Sequence, residues 1–437
     1  LTSLNSTSER VTEQSVYRKL NRRLLPFLLL CYTFAYLDRV NVGFAKLQMQ
    51  EDIPGFTEAA FGLGAGLFFL AYACLEVPSN LLMHRIGARK TITRIMVLWG
   101  LTSASTLFVT NVETFFVLRV LLGVFEAGFA PGIILYLTYW YPARRMGAVM
   151  GIYMLAGPIG SIVGAGASAA IINGFHGIGG LEGWQWMFLL QGLPAVVLGF
   201  VFWKVMADRP EDVSWLSRQE KSVVSDVVGE SQTPHHASRF ADILREPAVY
   251  LMSVAYFGLM CGIYAVSFWL PTILADNGVT STTQLGIYAS IPYVLTIPVM
   301  ILLSRRSDRL RERKWHIVIP TAFAAVGLTV AAYTASSFAI AFVALCVAIC
   351  SAWGAYTVFW AIPSHHFSGT AAAGGIAFIN TIGILGGFFA PTLMGWVKEL
   401  TGSTQGGLMT MVVLLLGSIA AMLLLPIALR NRTEVTA

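Results

Sequence analysis

Val117-Leu118-Arg119-Val120-Leu121-Leu122-Gly123-Val124-Phe125-Glu126-Ala127 sets two opposite charges seven residues apart inside an apolar run from 114 to 137. As a helix the run is long enough to cross about 30 Å of hydrocarbon. An ionisable side chain at the centre of a spanning helix costs roughly 2.5–3.5 kcal/mol on insertion scales, so such residues persist where they pair or handle a charged solute. Arg119 and Glu126 project from nearly the same face, about 10 Å apart along the axis. The stretch reads as a membrane helix with a working face.

Eleven similar runs accompany it. In order, the twelve are 24–44, 59–83, 91–110, 114–137, 146–171, 185–206, 247–273, 284–304, 317–335, 338–362, 372–397 and 406–428. The composition agrees: 56% of the 437 residues are hydrophobic and 12% charged, against about a quarter charged in soluble domains. Of the 29 Lys and Arg, 25 fall in alternate loops and the two tails, and only Lys46 and Lys398 lie in the loops between. The positive-inside rule then places both termini in the cytoplasm. The net charge of +6 marks the inner face of a membrane rather than a nucleic-acid site. Cys31, Cys74, Cys261, Cys346 and Cys350 all lie within spans, without metal-ligand spacing, and read as packing residues. The basic N-terminus lacks a cleavable signal pattern, so the first span is expected to be retained.

Composition changes after Met206. Residues 207–246 are polar, with balanced charge, and read as a cytoplasmic linker with a short helix around Trp215–Val228. The expected organisation is a six-helix bundle over 1–206, the linker over 207–246, and a second bundle over 247–437. Each half carries a basic loop between its second and third spans, His84-Arg85-Ile86-Gly87-Ala88-Arg89-Lys90 and Arg305-Arg306-Ser307-Asp308-Arg309. Such weak repetition marks a two-bundle transporter with its site at the repeat interface. Gly62/Gly66, Gly160/Gly164 and the Gly383, Gly386, Gly387 cluster suit close helix approach, either at a sliding surface or in ordinary packing.

The other buried charges are Asp38, Arg39 and Glu76. By rise per residue Asp38 and Arg119 reach the same depth, roughly 8–9 Å below the outer surface, so an ion pair between the first and fourth spans is expected, with Glu126 deeper. Glu76 lies near the basic loop at 84–94 and reads as its structural partner. Later spans offer Tyr264, Ser267, Trp269, Tyr293, Tyr356, Thr357, Trp360, Asn380 and Thr381 instead of charges. The first half is thus expected to handle charge and protons, and the second to supply hydrogen bonds and aromatic walls. For any single aromatic among them, core or interfacial packing is the favoured reading. His235–His236 and His365–His366 lack neighbouring ligands, so no metal site is expected.

Tyr36-Leu37-Asp38-Arg39-Val40-Asn41, Glu76-Val77-Pro78-Ser79-Asn80, the 84–89 loop and Leu118–Phe129 with Pro131-Gly132 resemble the major facilitator superfamily, in its anion:cation symporter family. Ser267–Thr272, Gly369–Gly375 and Ala377–Asn380 fit the same pattern, so the resemblance covers essentially the whole chain. The tartrate- and phthalate-type carboxylate permeases are most alike. The resemblance implies that Asp38 and Glu126 are proton-coupling carboxylates. Arg39 and Arg119 match its substrate and ion-pair arginines, and Tyr72 and Asn380 match pocket positions. Tyr264, Tyr356 and Trp360 complete the expected pocket. This chain departs from the pattern at His84, where the superfamily has Asp, at Gln191, where related sequences carry Glu, and at Pro158, which replaces a polar pocket residue of sugar-acid permeases.

The expected protein is an all-α membrane protein of twelve spans, not an enzyme. It would be a monomer in a bacterial inner membrane that imports a small organic anion with protons as the coupling ion and no other cofactor. An exchanger or uniporter of the same anions, a transporter-like carboxylate receptor, and lastly a membrane enzyme are the rival readings.

Overall fold

A computed structural model describes residues 12–230, 246–334, 337–366 and 369–435 of the chain. Among them every regular element is a helix. The spans, in order, are Glu13–Val40 continued by Val42–Asp52, Glu58–Ile86, Ala88–Ser105, Val112–Glu126 with Phe129–Thr138, Ala143–Tyr153 with Ala156–Phe175, and Gly183–Val205. The second set is Pro247–Asp276, Thr282–Leu310, Trp315–Tyr333, Phe338–Phe359 with Ala361–His366, Gly369–Ile384 with Gly386–Thr401, and Thr404–Val435. Ten of the twelve are long and apolar enough to cross a membrane by length and composition. The remaining two, the first and third, carry Asp38 with Arg39, and Arg89, Lys90 and Arg94.

The first helix begins eleven residues earlier than the apolar run, at Glu13, with the Thr12 side chain capping the Ser15 N–H. Arg144 and Arg145 hold Glu13 at 2.7 and 2.9 Å, and their hydrogen bonds keep its carboxyl below the usual carboxylate range. Helix Arg218–Glu230 in the linker is tied to the first half by Lys19–Glu220 at 2.9 Å, while Trp215 just before it stacks on Trp140. Residues 231–245, including His235 and His236, lie outside the described residues.

The small residues divide between two uses. Gly160 and Gly164 face Thr33, Tyr36 and Leu37 of the first span, within one half. Gly62 and Gly66 face Pro391, Phe388 and Thr392, and Gly395 faces the Glu58 carbonyl, so these seal the second span against the eleventh, across the halves. A methyl group at Gly62 would run into the Pro391 carbonyl. Backbone contact of this kind closes one end of the molecule without an intervening side chain.

The apolar runs did not disclose the interruptions. The fourth span breaks directly after Glu126: Ala127 turns to ψ 129° and Gly128 takes φ +85°, a conformation that glycine adopts without strain. The first span, by contrast, runs on through Asn41, two residues after Arg39, with helical backbone angles of φ −59° and ψ −32°. Helices broken beside a buried charge are where transporters place their sites.

Candidate functional site

Asp38 and Arg39 are adjacent on a helix and so point about 100° apart. Arg39 turns towards the junction of the two halves and Asp38 turns into its own half. This phase overturns the expected Asp38–Arg119 pair. Arg39 instead pairs with Glu126, its Nε and Nη2 donating to Oε1 at 2.7 and 2.5 Å, with Glu126 fully buried. The other carboxylate oxygen, Oε2, has no hydrogen-bond partner among the described residues. Arg39 also lies over the Tyr72 ring at 5.2 Å and the Phe68 ring at 5.5 Å. Arg119 lies over the same Phe68 at 5.3 Å, donates weakly to the Gly64 carbonyl at 3.4 Å, and leaves Nη2 unpartnered. Two buried guanidiniums thus flank one phenyl ring, and of the two only Arg39 is paired with a carboxylate among the described residues.

The second half closes this cluster with aromatics. Tyr264 stands against Phe69 at 4.4 Å and within the field of Arg39. Further along, Trp353 meets Tyr36 at 5.6 Å, the Tyr356 hydroxyl reaches the Met154 sulfur at 3.3 Å, and Tyr356 and Trp360 both pack on Tyr256. The structure therefore gathers Arg39, Tyr72, Arg119, Glu126 and Tyr264, and places Tyr356 and Trp360 in a neighbouring aromatic wall. Asn380 donates to Glu76 Oε1 at 2.9 Å across the halves, and Glu76 lies within the field of Arg39. Glu76 accordingly finds its partner in the eleventh span, not in the basic loop as expected, because its side chain faces the other half.

Asp38 is held by neutral groups: Trp99 Nε1 at 2.6 Å, Ser103 Oγ at 3.0 Å and Asn41 Nδ2 at 3.3 Å. Among the described residues no group of three or more His, Cys, Asp or Glu could hold a metal ion.

A second charged cluster went unread in the sequence. Lys46, expected in a loop, is a helical residue with no exposed surface. Its ammonium meets Glu58 at 2.5 Å, Thr272 at 3.0 Å and the Trp269 ring at 4.0 Å. Lys398 joins Glu58 at 3.3 Å to Asp276 at 2.9 Å, and Glu399 accepts the Ala59 N–H at 2.7 Å. The cluster lies at the end opposite the basic loops and ties the first half to the second. Parting the halves there leaves Lys46–Glu58 on one and Lys398–Asp276 on the other. Neither of those pairs is broken, so within the cluster opening forfeits a long ion pair, two hydrogen bonds and a cation–π contact, besides the close packing of the second span on the eleventh.

Comparison gives the family to which this fold belongs. Residues 28–391 match the Major Facilitator Superfamily, and the chain belongs to it. A protein of Agrobacterium vitis named "Putative tartrate transporter" is 42% identical over 94% of this chain and 95% of its own length. The "Quinolone resistance transporter" of Acinetobacter baumannii is 38% identical over 97% of this chain and 98% of its own. A crystal structure of a D-xylose-proton symporter shares the fold, with a TM-score of 0.74 at 15% identity, covering 92% of this chain and 97% of that one.

Proposed function

We propose that the protein is a proton-coupled symporter that imports a small organic carboxylate, a tartrate-like hydroxy acid or an aromatic acid such as phthalate, by alternating access. The observation that carries this is the Arg39–Glu126 pair. A substrate carboxylate seeks the same guanidinium that Glu126 occupies, and two carboxylates compete for it. Protonating Glu126 removes the competitor, so proton and anion favour each other's binding, and the coupling is reciprocal. Arg119, with a donor to spare, is placed to take the anion's second oxygen. Asp38 is the other proton-coupling carboxylate, Tyr72 and Tyr264 border the anion, and Tyr356, Trp360 and Asn380 face it from the second half. The relative named for tartrate supports a carboxylate cargo. The test is uptake into proteoliposomes with tartrate and phthalate as probes, inside-alkaline pH imposed: accumulation supports symport, and equilibration without accumulation supports a uniporter.

Export is a second reading, favoured by the relative named for quinolone resistance. It requires uptake into inverted vesicles against an opposing proton gradient, and import excludes that.

The proposed setting is a bacterial inner membrane, with a monomer, both termini cytoplasmic and protons as the only coupling ion. A cysteine at Gly278 should label from outside intact cells and one at Ser217 should not; the reverse pattern would invert the orientation. In that orientation the Lys46–Glu58–Lys398–Asp276 cluster is the outer gate, closed here. Removing the ion pair that crosses it, by Lys398→Gln, should favour the outward-open form by about 0.5–1 kcal/mol, the usual worth of a partly exposed pair. A cysteine replacing Ser267 should then react roughly two- to five-fold faster with an impermeant maleimide. An unchanged rate would mean the cluster does not gate.

A further inference from the structure

Asp38, like Glu76 and Arg119, has no ionic partner among the described residues, and it is set apart by the three neutral side-chain donors that hold it. Its carboxylate is 1% exposed and receives three neutral donors, from Trp99 and Ser103 of the third span and Asn41 of its own. Asn41 Nδ2 also donates to Gln191 Oε1 at 3.0 Å, and Gln191 Nε2 donates to Ser168 Oγ at 3.0 Å, so the chain continues into the sixth and fifth spans. Every member is 3% exposed or less. The charged groups around Asp38 are Arg119 and Glu126 on the fourth span and Arg39 on the first. The third, fifth and sixth spans present only neutral side chains to it.

We propose that Trp99 and Ser103, with Asn41 held by Gln191 and Ser168, are positioning residues for the proton site at Asp38: they keep the carboxylate turned into the first half and set the pH at which it takes its proton. This rests on the reading of Asp38 as a proton-coupling carboxylate. The donor chemistry makes the roles unequal. An indole N–H only donates, whereas a hydroxyl donates or accepts. A proton on Oδ1 would therefore be received by Ser103 Oγ after the hydroxyl rotates, while Trp99 stays on Oδ2. Asn41 Oδ1, buried and without a partner among the described residues, is a second acceptor if the amide turns. Gln191, a neutral amide, keeps this chain of donors and acceptors uncharged. The charge that changes is then confined to Asp38.

Hydrogen bonds to an ionised acceptor are about twice as strong as neutral ones, so losing a donor favours the protonated form. Trp99→Phe keeps most of the ring and deletes the N–H. The pH midpoint of proton-driven uptake in proteoliposomes should rise by about one unit, since one pKa unit corresponds to roughly one such bond. Counterflow at fixed acidic pH should persist, and in an Asp38→Asn background, which has no proton-driven uptake to read, the pH profile of counterflow should not move further with Trp99→Phe. A purely structural role would lower uptake at every pH without moving the midpoint. Where Trp99→Phe does not reach the membrane, Ser103→Ala carries the test, with a smaller shift in the same direction. An unmoved midpoint in both variants, or the same shift without Asp38, overturns the proposal. Wild-type uptake independent of pH would instead remove the proton-coupled reading on which it stands.

Discussion

Arg39→Ala is expected to abolish carboxylate binding at normal expression. The guanidinium is buried at 6% exposure, and its removal leaves the fully buried Glu126 without its cation. Breaking a buried pair on one side costs about 3–5 kcal/mol. The anion loses its main partner as well, so affinity should fall by at least roughly 10²–10³-fold, each 1.4 kcal/mol being tenfold. Arg39→Lys should not restore it. Two nitrogens of Arg39 converge on one oxygen of Glu126, and an ammonium on a flexible stem cannot reproduce that fork. Arg119→Lys should fail for the same reason if Arg119 takes the second oxygen. The measurement is ligand-induced thermal stabilisation of purified protein with tartrate and phthalate as probes, beside counterflow. Near-normal stabilisation in Arg39→Lys would mean that Arg39 acts only as a point charge, and in Arg39→Ala that the anion binds elsewhere.

The spans, their number and the buried charges were legible because a charge inside an apolar run has few ordinary explanations. Partner choice was not. Depth along a helix follows from residue counting, and by that measure Asp38 and Arg119 matched. Rotation about the axis decides which neighbour a side chain meets, and residue counting along one helix does not give its phase against the next. Glu76 illustrates the same point: counting did not give its direction, and Asn380 took the place assigned to the basic loop. Lys46 was missed for another reason. Lys46, Gln48, Gln50, Glu51 and Asp52 make a stretch that reads as a solvated loop. It is a helix that buries one of its charges against Glu58, just beyond a short turn. An opposite charge at each side of that turn was the available signal. The donors to Asp38 could not be found from one sequence, since Trp99 and Ser103 look like ordinary residues of an apolar helix until the first span is packed against them.

Glu126→Gln is the other large effect expected, and it should separate two activities that normally go together. The amide keeps the shape of the protonated acid and no longer competes as an anion for Arg39. The variant should bind carboxylate with an affinity that depends less on pH, and should exchange it across the membrane. It should also lose accumulation, because no proton is left to bind and release at that position.

The decisive measurement is made on Glu126→Gln and the wild type in the same proteoliposomes, with uptake under an imposed pH gradient run beside counterflow at equal pH. Wild type should concentrate substrate under the gradient and exchange it without one. Glu126→Gln should exchange at a comparable rate and reach only equilibration under the gradient. If Glu126→Gln still concentrates substrate in response to the gradient, competition between Glu126 and the anion for Arg39 is not what couples the proton to transport.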